Sequence, residues 1–311
     1  FIEDPVIRYE ATQQGWGRPG IATVDASYQK TGGRFVRYNG RHHEKAPPSP
    51  HRDITVTKRF MDAMGVDYAC LFPTPMLLIG MNARVETEVA LARAYNRWFC
   101  ETVLANEPRI KSMLYLPFND PVACLKVVEE FGDKKGVIGF MVTAPHYKSV
   151  HDNAYVKTYA ALEERGLPLA FHSGFHWGDQ TLGLTNRFMA VHALGFTFYN
   201  MVHLTNWIVN GMPERFPKLK LIWIESGLAW LPFLIQRLDN EYMMRTSDAP
   251  LLKRKPGAYI RDMYFTSQPI ESVDNLGALR ETFKMISART QLLYSSDYPH
   301  WDMDLPNTIY A

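Results

Sequence analysis

Cysteine is scarce in this sequence of 311 residues. The chain has only Cys70, Cys100 and Cys124, and no two of them form a C-x-x-C pair or a disulfide-like spacing. Zinc sites built from thiolates use closely spaced cysteines, so this sparse set excludes a zinc-thiolate site. A few unpaired cysteines are typical of a reducing compartment, and we therefore expect a cytoplasmic protein.

Long hydrophobic runs and an excess of one charge are also missing. No apolar stretch of the sequence approaches the roughly 20 residues that a membrane span needs, and no signal peptide is visible at Phe1. The formal net charge of +2 is too small to create a strong field for nucleic acid or for a membrane surface. We therefore expect neither nucleic acid nor a membrane as a partner.

A third absence bears on the fold class. No glycine-rich phosphate loop follows an early strand, although an open doubly wound nucleotide-binding sheet usually has one. From residue 54 onward, apolar runs of strand length alternate about seven times with helical segments, as in a parallel sheet with helical crossovers. We predict an α/β fold, a (β/α)8 TIM-type barrel over residues 54–311 with one strand missing. Residues 1–53 are rich in Gly, Pro, Tyr and Arg, and we predict an irregular excursion that takes part in oligomer contacts.

Three of the predicted strands end in side chains that can bind a metal. His172 closes one apolar run, Glu225 directly follows another, and Asp297 follows the last. Each has an ordinary structural explanation, because a buried histidine can be a hydrogen-bonded core residue and a carboxylate can cap a helix or a turn. All three, however, occupy the same position on parallel strands, whose ends meet around one axis in a barrel. The pattern predicts a metal site with oxygen and nitrogen ligands from His172, Glu225 and Asp297.

Two further histidines follow these strand ends closely enough to reach the same pocket. His176 lies four residues after His172, and His300 lies three residues after Asp297. We interpret His176 and His300 as candidate catalytic or substrate-contacting residues, with a structural role in the loops as the alternative. Aromatic residues that follow strand ends predict an apolar pocket for a small-molecule substrate. They are Phe175, Trp177, Trp230 and Trp301.

Three motifs in the second half of the chain resemble a known family. Residues 166–174 (GLPLAFHSG) are similar to the fifth strand of the amidohydrolase-related (β/α)8-barrel enzymes, in the branch that includes aminocarboxymuconate-semialdehyde decarboxylase. Residues 210–220 (NGMPERFPKLK) resemble that family's approach to its sixth strand, and residues 295–300 (SSDYPH) resemble its eighth strand with the metal aspartate. The resemblance covers roughly residues 54–306. It implies that Asp297 combines metal ligation with proton transfer as a general base.

The sequence departs from this family in three places. The family's first strand ends in His-x-His or Asp-x-His, and no such motif is found here, so we expect that strand before Phe1. Glu225 stands where the family has the histidine of its sixth strand, and a carboxylate favours metals such as Mn or Fe over Zn. The fourth strand contains Met141 and Val142 in place of lysine, which excludes a bridging carbamylated lysine there.

The resemblance implies a divalent metal cofactor (Zn, Mn or Fe, one or two ions) and an enzymatic function. The first class of reaction is hydrolysis or non-oxidative decarboxylation of a small carboxylated or aromatic substrate, with the metal polarising an oxygen or lowering the pKa of bound water. The alternative is hydroxylation by dioxygen at a dinuclear Fe or Mn centre, for which Glu225 is a suitable ligand. A second alternative is a non-catalytic partner subunit, which the missing first-strand motif leaves open. We also expect a homo- or hetero-oligomer.

Overall fold

A sheet of seven parallel strands forms the centre of the structure, and the spatial order of the strands follows their order in the sequence. The structure is a computed structural model that describes residues 1–13, 52–143, 148–172, 174, 181–271, 275–298, 300 and 302–304. The strands are β1 (Ala69–Leu71), β2 (Ile110–Tyr115), β3 (Val137–Thr143), β4 (Leu169–His172), β5 (Leu221–Ile224), β6 (Tyr264–Thr266) and β7 (Leu292–Leu293). A doubly wound sheet would reverse its strand order at a switch point, whereas sequential parallel strands are the topology of a (β/α)8 barrel. The predicted fold class is confirmed, with seven barrel strands in the described residues.

Helices connect the strands as the alternating pattern predicts. They are α1 (Pro5–Gln13), α2 (Arg52–Met64), α3 (Val85–Trp98), α4 (Pro121–Phe131), α5 (Val156–Arg165), α6 (Phe188–Val209), α7 (Met212–Arg215), α8 (Trp230–Met244), α9 (Pro256–Ile260), α10 (Leu276–Met285) and α11 (Ala288–Gln291). The start of α4 shows how a local sequence signal fixes a helix end. The Asp120 side chain accepts hydrogen bonds from the N–H groups of Val122 and Ala123 at 2.9 and 3.0 Å and so caps the helix. None of the helices in these ranges is long and apolar enough to cross a membrane.

Successive side chains of each strand alternate between the barrel interior and the surrounding helices. Met113, Tyr115, Met141, Ala170 and Ile224 point inward and form one buried cluster. The outward-facing side chains pack beneath the helices in a second cluster, which includes Leu114, Phe140, Phe171, Trp223 and Phe265. Each large side chain buried in this way stabilises the fold by roughly 1.5–3 kcal/mol. The same alternation directs the last residue of β4, two positions after Ala170, into the barrel.

The first helix corrects part of the sequence interpretation. The Asp4 side chain accepts hydrogen bonds from two amide N–H groups in the first turn of α1, at 2.8 and 3.1 Å, and so caps the helix. Ile7 and Ala11 on this helix belong to the interior cluster of the barrel. The start of the segment 1–53, predicted to be irregular, is therefore helical where α1 lies. Residues 14–51 lie outside the described residues, and the oligomer contacts assigned to the segment stay a prediction.

Candidate metal centre

Three of the predicted site residues lie at the carboxyl ends of barrel strands. His172 is the last residue of β4, Glu225 directly follows β5, and Asp297 comes four residues after β7. The register pairs His172 with Ile224, so the histidine and the glutamate lie side by side on adjacent strands. Because the strands are parallel, these groups share one end of the barrel, the end at which barrel loops carry catalytic residues.

The side chains of these residues converge together with His300. His172 Nε2 lies 3.3 Å from Glu225 Oε2, and His300 Nδ1 lies 2.8 Å from Asp297 Oδ1. Glu225, Asp297 and His300 each offer one ligand atom, and the three atoms lie within 4.8 Å of one another. The structure thus brings together four of the five predicted residues. The fifth, His176, lies outside the described residues.

Both carboxylates of the centre stand on backbone that residues other than glycine rarely adopt. Glu225 has a φ of 55° and Asp297 a φ of 57°, in the left-handed region. This conformation costs roughly 1–2 kcal/mol for a residue with a Cβ atom. It persists only where the surroundings hold it, and such strain concentrates at functional sites. The N–H of Glu225 donates to Thr266 Oγ1 at 3.0 Å, and the carbonyl of Asp297 accepts from the N–H of His300 at 2.8 Å.

The centre concentrates negative charge away from water. Glu225 is only 7% exposed, and burial, together with the charges of Asp297 and Asp302, raises the pKa of its carboxyl well above the usual range. Burial and the charge of Asp297 also raise the pKa of Asp302 from 3.8 to about 6. Within the described part of the chain, no lysine or arginine forms an ion pair with these three carboxylates. A bound cation would supply the missing positive charge.

One oxygen of Asp297 has the character of a free metal ligand. Its Oδ1 lies 2.8 Å from His300 Nδ1, whereas its Oδ2 is buried without a hydrogen-bond partner among the described residues. Such an atom costs on the order of 1–3 kcal/mol, and native proteins rarely keep one without a purpose. A divalent metal held by Asp297, Glu225 and the imidazole of His172 or His300 would satisfy it. Carboxylate and imidazole ligands together fit Zn, Mn or Fe.

Two residues at the edge of the centre are not found by sequence reasoning. His192 Nε2, on α6, lies 3.9 Å from Asp302 Oδ2, and burial lowers the pKa of His192 to about 4. In the sequence alone His192 has only a structural interpretation, because nothing in a helical segment shows which distant loop it faces. Asp302 does have a signal, since it lies five residues after Asp297 in the same loop.

Of the four aromatic residues that the sequence predicts beside the centre, the structure describes only Trp230. Trp230 belongs to the cluster between the sheet and the helices, because its indole N–H donates to the Gly227 carbonyl at 3.0 Å and holds it there. The other three predicted aromatic residues lie outside the described residues. Phe72, which the sequence analysis does not single out, lies beside the centre, with its ring centroid 5.5 Å from that of His172.

We expect the metal-free protein to lose stability as the pH rises through the range in which Asp302 ionises. The folded-state pKa of about 6 exceeds the ordinary 3.8, so the unfolded chain releases this proton first and stability falls between about pH 4 and about pH 6. Asp302→Asn removes this dependence. It should raise the free energy of unfolding of the metal-free protein by up to about 3 kcal/mol at about pH 8.

Urea unfolding of the metal-free protein at two pH values measures this effect. Below about pH 4 the carboxyl is protonated in both states, so Asp302→Asn should then match the wild type. Asp248→Asn serves as the control, since Asp248 has an exposed side chain in a pair with Arg245. An equal effect of Asp302→Asn at both pH values would contradict the assignment of the pH dependence to this carboxyl.

Comparisons with known proteins give a family and a set of structures with the same fold. Residues 42–309 match the family profile described as Amidohydrolase. The crystal structure of 5-carboxyvanillate decarboxylase from Sphingomonas paucimobilis matches with 24% identity over 80% of this chain and 73% of that chain, at a TM-score of 0.66. That of 2,6-dihydroxybenzoate decarboxylase from Rhizobium matches with 18% identity over 87% of both chains, at a TM-score of 0.61.

A third structure is a dihydroxybenzoic acid decarboxylase from Polaromonas sp. JS666 with bound manganese and the inhibitor 2-nitroresorcinol. It matches with 20% identity over 81% of this chain and 76% of that chain, at a TM-score of 0.62. At these identities the structures establish the shared fold, and the family profile, which spans most of the chain, establishes membership. The resemblance seen in the motifs is confirmed: the chain belongs to the amidohydrolase family and is an enzyme of that family.

Proposed function

We propose that this enzyme catalyses the metal-dependent, non-oxidative decarboxylation of a small carboxylated aromatic compound. The observation that carries the proposal is the cluster of buried Glu225 with half-buried Asp297 and His300, in which Asp297 Oδ2 has no hydrogen-bond partner among the described residues. The three structures named above are decarboxylases of aromatic acids, and one of them contains manganese. Hydrolysis at the same centre is the other reaction that this family offers.

His172, Glu225 and Asp297 are the residues that we propose as metal ligands, with His300 beside Asp297. Two carboxylates in the set favour Mn²⁺ or Fe²⁺ over Zn²⁺. In the part of the chain that the structure describes, one cluster, Glu225 with Asp297 and His300, brings its ligand atoms within 4.8 Å of one another, which supports one ion. When bound, the metal supplies positive charge that polarises a substrate oxygen.

The protein's own groups provide the proton that the reaction needs. A proton is added to the ring carbon that bears the carboxylate; the bond between the two carbons then breaks, its electron pair returns to the ring, and carbon dioxide leaves. We assign the delivery of this proton to Asp297. His300 Nδ1, 2.8 Å from Asp297 Oδ1, is placed to return a proton to it. His176 stays a candidate for the same role.

The surroundings of the centre fit a flat, largely apolar substrate. The Phe72 ring lies 5.5 Å from that of His172, and Phe188 and Phe196 flank the ring of His192 at 5.1 and 4.8 Å. An apolar wall with a few polar groups is the usual build of a small-molecule site. Exclusion of water by such a wall also strengthens the attraction between the carboxylates and a cation.

We expect the protein to release carbon dioxide from an aromatic carboxylic acid only when it is loaded with Mn²⁺ or Fe²⁺. The test incubates the loaded protein with 2,6-dihydroxybenzoate and with 5-carboxyvanillate in D₂O, and follows carbon dioxide, deuterium in the product and oxygen uptake. The expected product carries deuterium at the ring carbon that bore the carboxylate, and oxygen is not consumed. Protein treated with a chelator is the control.

Two other outcomes of this assay would contradict the proposal. Oxygen uptake in step with turnover would instead support the hydroxylase with a dinuclear centre. No carbon dioxide release from either acid, with cleavage of an aryl ester or amide supplied to the same loaded protein, would support a hydrolase. In both cases the metal dependence could still hold, so the assay separates the reaction from the metal requirement.

A further inference from the structure

The loop that follows β5 carries Glu225, and several of its backbone N–H groups donate hydrogen bonds to side chains at and after the end of β6. The N–H of Glu225 donates to Thr266 Oγ1 at 3.0 Å. The N–H of Leu228 lies 3.0 Å from both carboxylate oxygens of Glu271, and the N–H of Ala229 donates to Glu271 Oε1 at 3.1 Å. Thr266 ends β6 and Glu271 follows it by five residues. We call these two residues the β6 clamp.

Gly227 shows how closely the clamp approaches the loop. It has a φ of 68°, and a Cβ atom built on it would lie 2.2 Å from Glu271 Oε1. Any other residue would therefore strain the backbone and would force the Glu271 carboxylate to move away from the loop. The glycine makes room for Glu271 against the peptide groups between Glu225 and α8.

The clamp acts on a residue whose backbone conformation is intrinsically unfavourable. Glu225 is left-handed, with a φ of 55°, and a conformation of this kind persists only when surrounding contacts over-determine it. The hydrogen bond to Thr266 fixes the N–H of Glu225 itself, and Glu271 fixes the loop three and four residues later. Loss of either contact frees the backbone to leave the left-handed region, and the Glu225 carboxylate would then point elsewhere.

We propose that Thr266 and Glu271 are positioning residues that hold the Glu225 carboxylate toward Asp297, in the orientation in which it binds the metal. The inference rests on the proposed metal-dependent function. It assigns the clamp a part in metal affinity, because groups that orient a ligand typically change affinity by about 10–100-fold when they are removed. A clamp that only caps α8 would change the stability of the protein and leave metal affinity unaltered.

The test measures the dissociation constant for Mn²⁺ by calorimetric titration of metal-free protein, together with its melting temperature. Glu271→Gln and Thr266→Val should each weaken Mn²⁺ binding by about 10-fold or more. Thr266→Ser restores the hydroxyl and should bind within about two-fold of the wild type. Glu281→Gln removes an exposed carboxylate paired with Lys284 and is the matched control. The melting temperature of metal-free Glu271→Gln should fall by only about 2–4 °C.

The outcomes separate the clamp from the proposed function. If the wild type binds Mn²⁺ and Glu271→Gln binds it with the affinity of Glu281→Gln, the clamp is overturned and the metal centre stands. If the wild type binds no Mn²⁺, both the metal centre and the clamp are overturned. If Mn²⁺ binding is weakened as expected and no carbon dioxide is released from any aromatic acid, the clamp stands and the proposed reaction fails.

Discussion

Replacement of Glu225 by glutamine is expected to abolish turnover and to weaken metal binding by at least about 100-fold, more than the loss of an orienting group. The amide keeps the size of the side chain but removes the charge that a divalent metal requires. Glu225 is 7% exposed, and in the metal-free protein its burial disfavours the charged form. The variant should therefore fold, and at about pH 8 its metal-free form should be at least as stable as the metal-free wild type.

Glu88 provides a matched control for this substitution. Its carboxylate is fully buried and accepts hydrogen bonds from the Tyr115 hydroxyl at 2.7 Å and from Asn119 Nδ2 at 2.8 Å. Burial raises its pKa as it does for Glu225, but its partners include none of the candidate ligands. The Glu88→Gln variant should therefore contain as much metal as the wild type. Metal analysis of both variants shows whether Glu225 is a ligand. Full metal occupancy with normal activity in Glu225→Gln would mean that Glu225 has only a structural role in its loop.

The second large effect is expected for Asp297→Asn. Asp297 is assigned both a ligand oxygen and the proton that reaches the substrate, so its loss should lower turnover by at least about 1,000-fold. The amide also replaces one of the oxygens that a metal would bind, and metal content should fall. Steady-state assays on protein reconstituted with excess Mn²⁺ separate the two effects. Saturating metal restores the occupancy of the site, so the remaining decrease in turnover measures the loss of the proton donor.

Asp262→Asn is the control for this variant. Asp262 has an exposed side chain that pairs with Arg254 Nη2 at 2.7 Å, and its loss should leave turnover unchanged. Retention of more than about one tenth of wild-type turnover by metal-saturated Asp297→Asn would exclude Asp297 as the proton donor. The proton would then have to come from another group of the site.

Much of the fold could be predicted from the sequence because its signals are local. Short apolar runs mark all seven strands, several of them bounded by proline or glycine, and helical segments separate them. The Asp120 cap of α4 is a local signal of the same kind, because the capping residue and Pro121 are adjacent in the sequence. Helix α1 was not predicted, because the glycine- and proline-rich composition of residues 1–53 as a whole masks the local helix-start signal of Asp4 followed by Pro5.

In the candidate site, too, the residues with a local sequence signal were predicted and the others were not. His172, Glu225 and Asp297 were predicted because each lies at or shortly after the end of an apolar run, and parallel strands of a barrel end around one axis. His192 escaped prediction because its place depends on how α6 packs, which the local sequence does not encode. Thr266 and Glu271 escaped for another reason: their importance lies in the backbone groups that they hold, and those contacts follow from register and loop geometry.

Anomalous X-ray scattering from a crystal of the Mn²⁺-loaded protein tests the central claim most directly. We expect a manganese peak at the carboxyl end of the barrel, within about 2.0–2.3 Å of oxygen atoms of Glu225 and Asp297 and of an imidazole nitrogen. That nitrogen should belong to His172 or His300. A manganese peak away from these residues, or an occupied centre in which Glu225 makes no contact with the metal, would contradict the account.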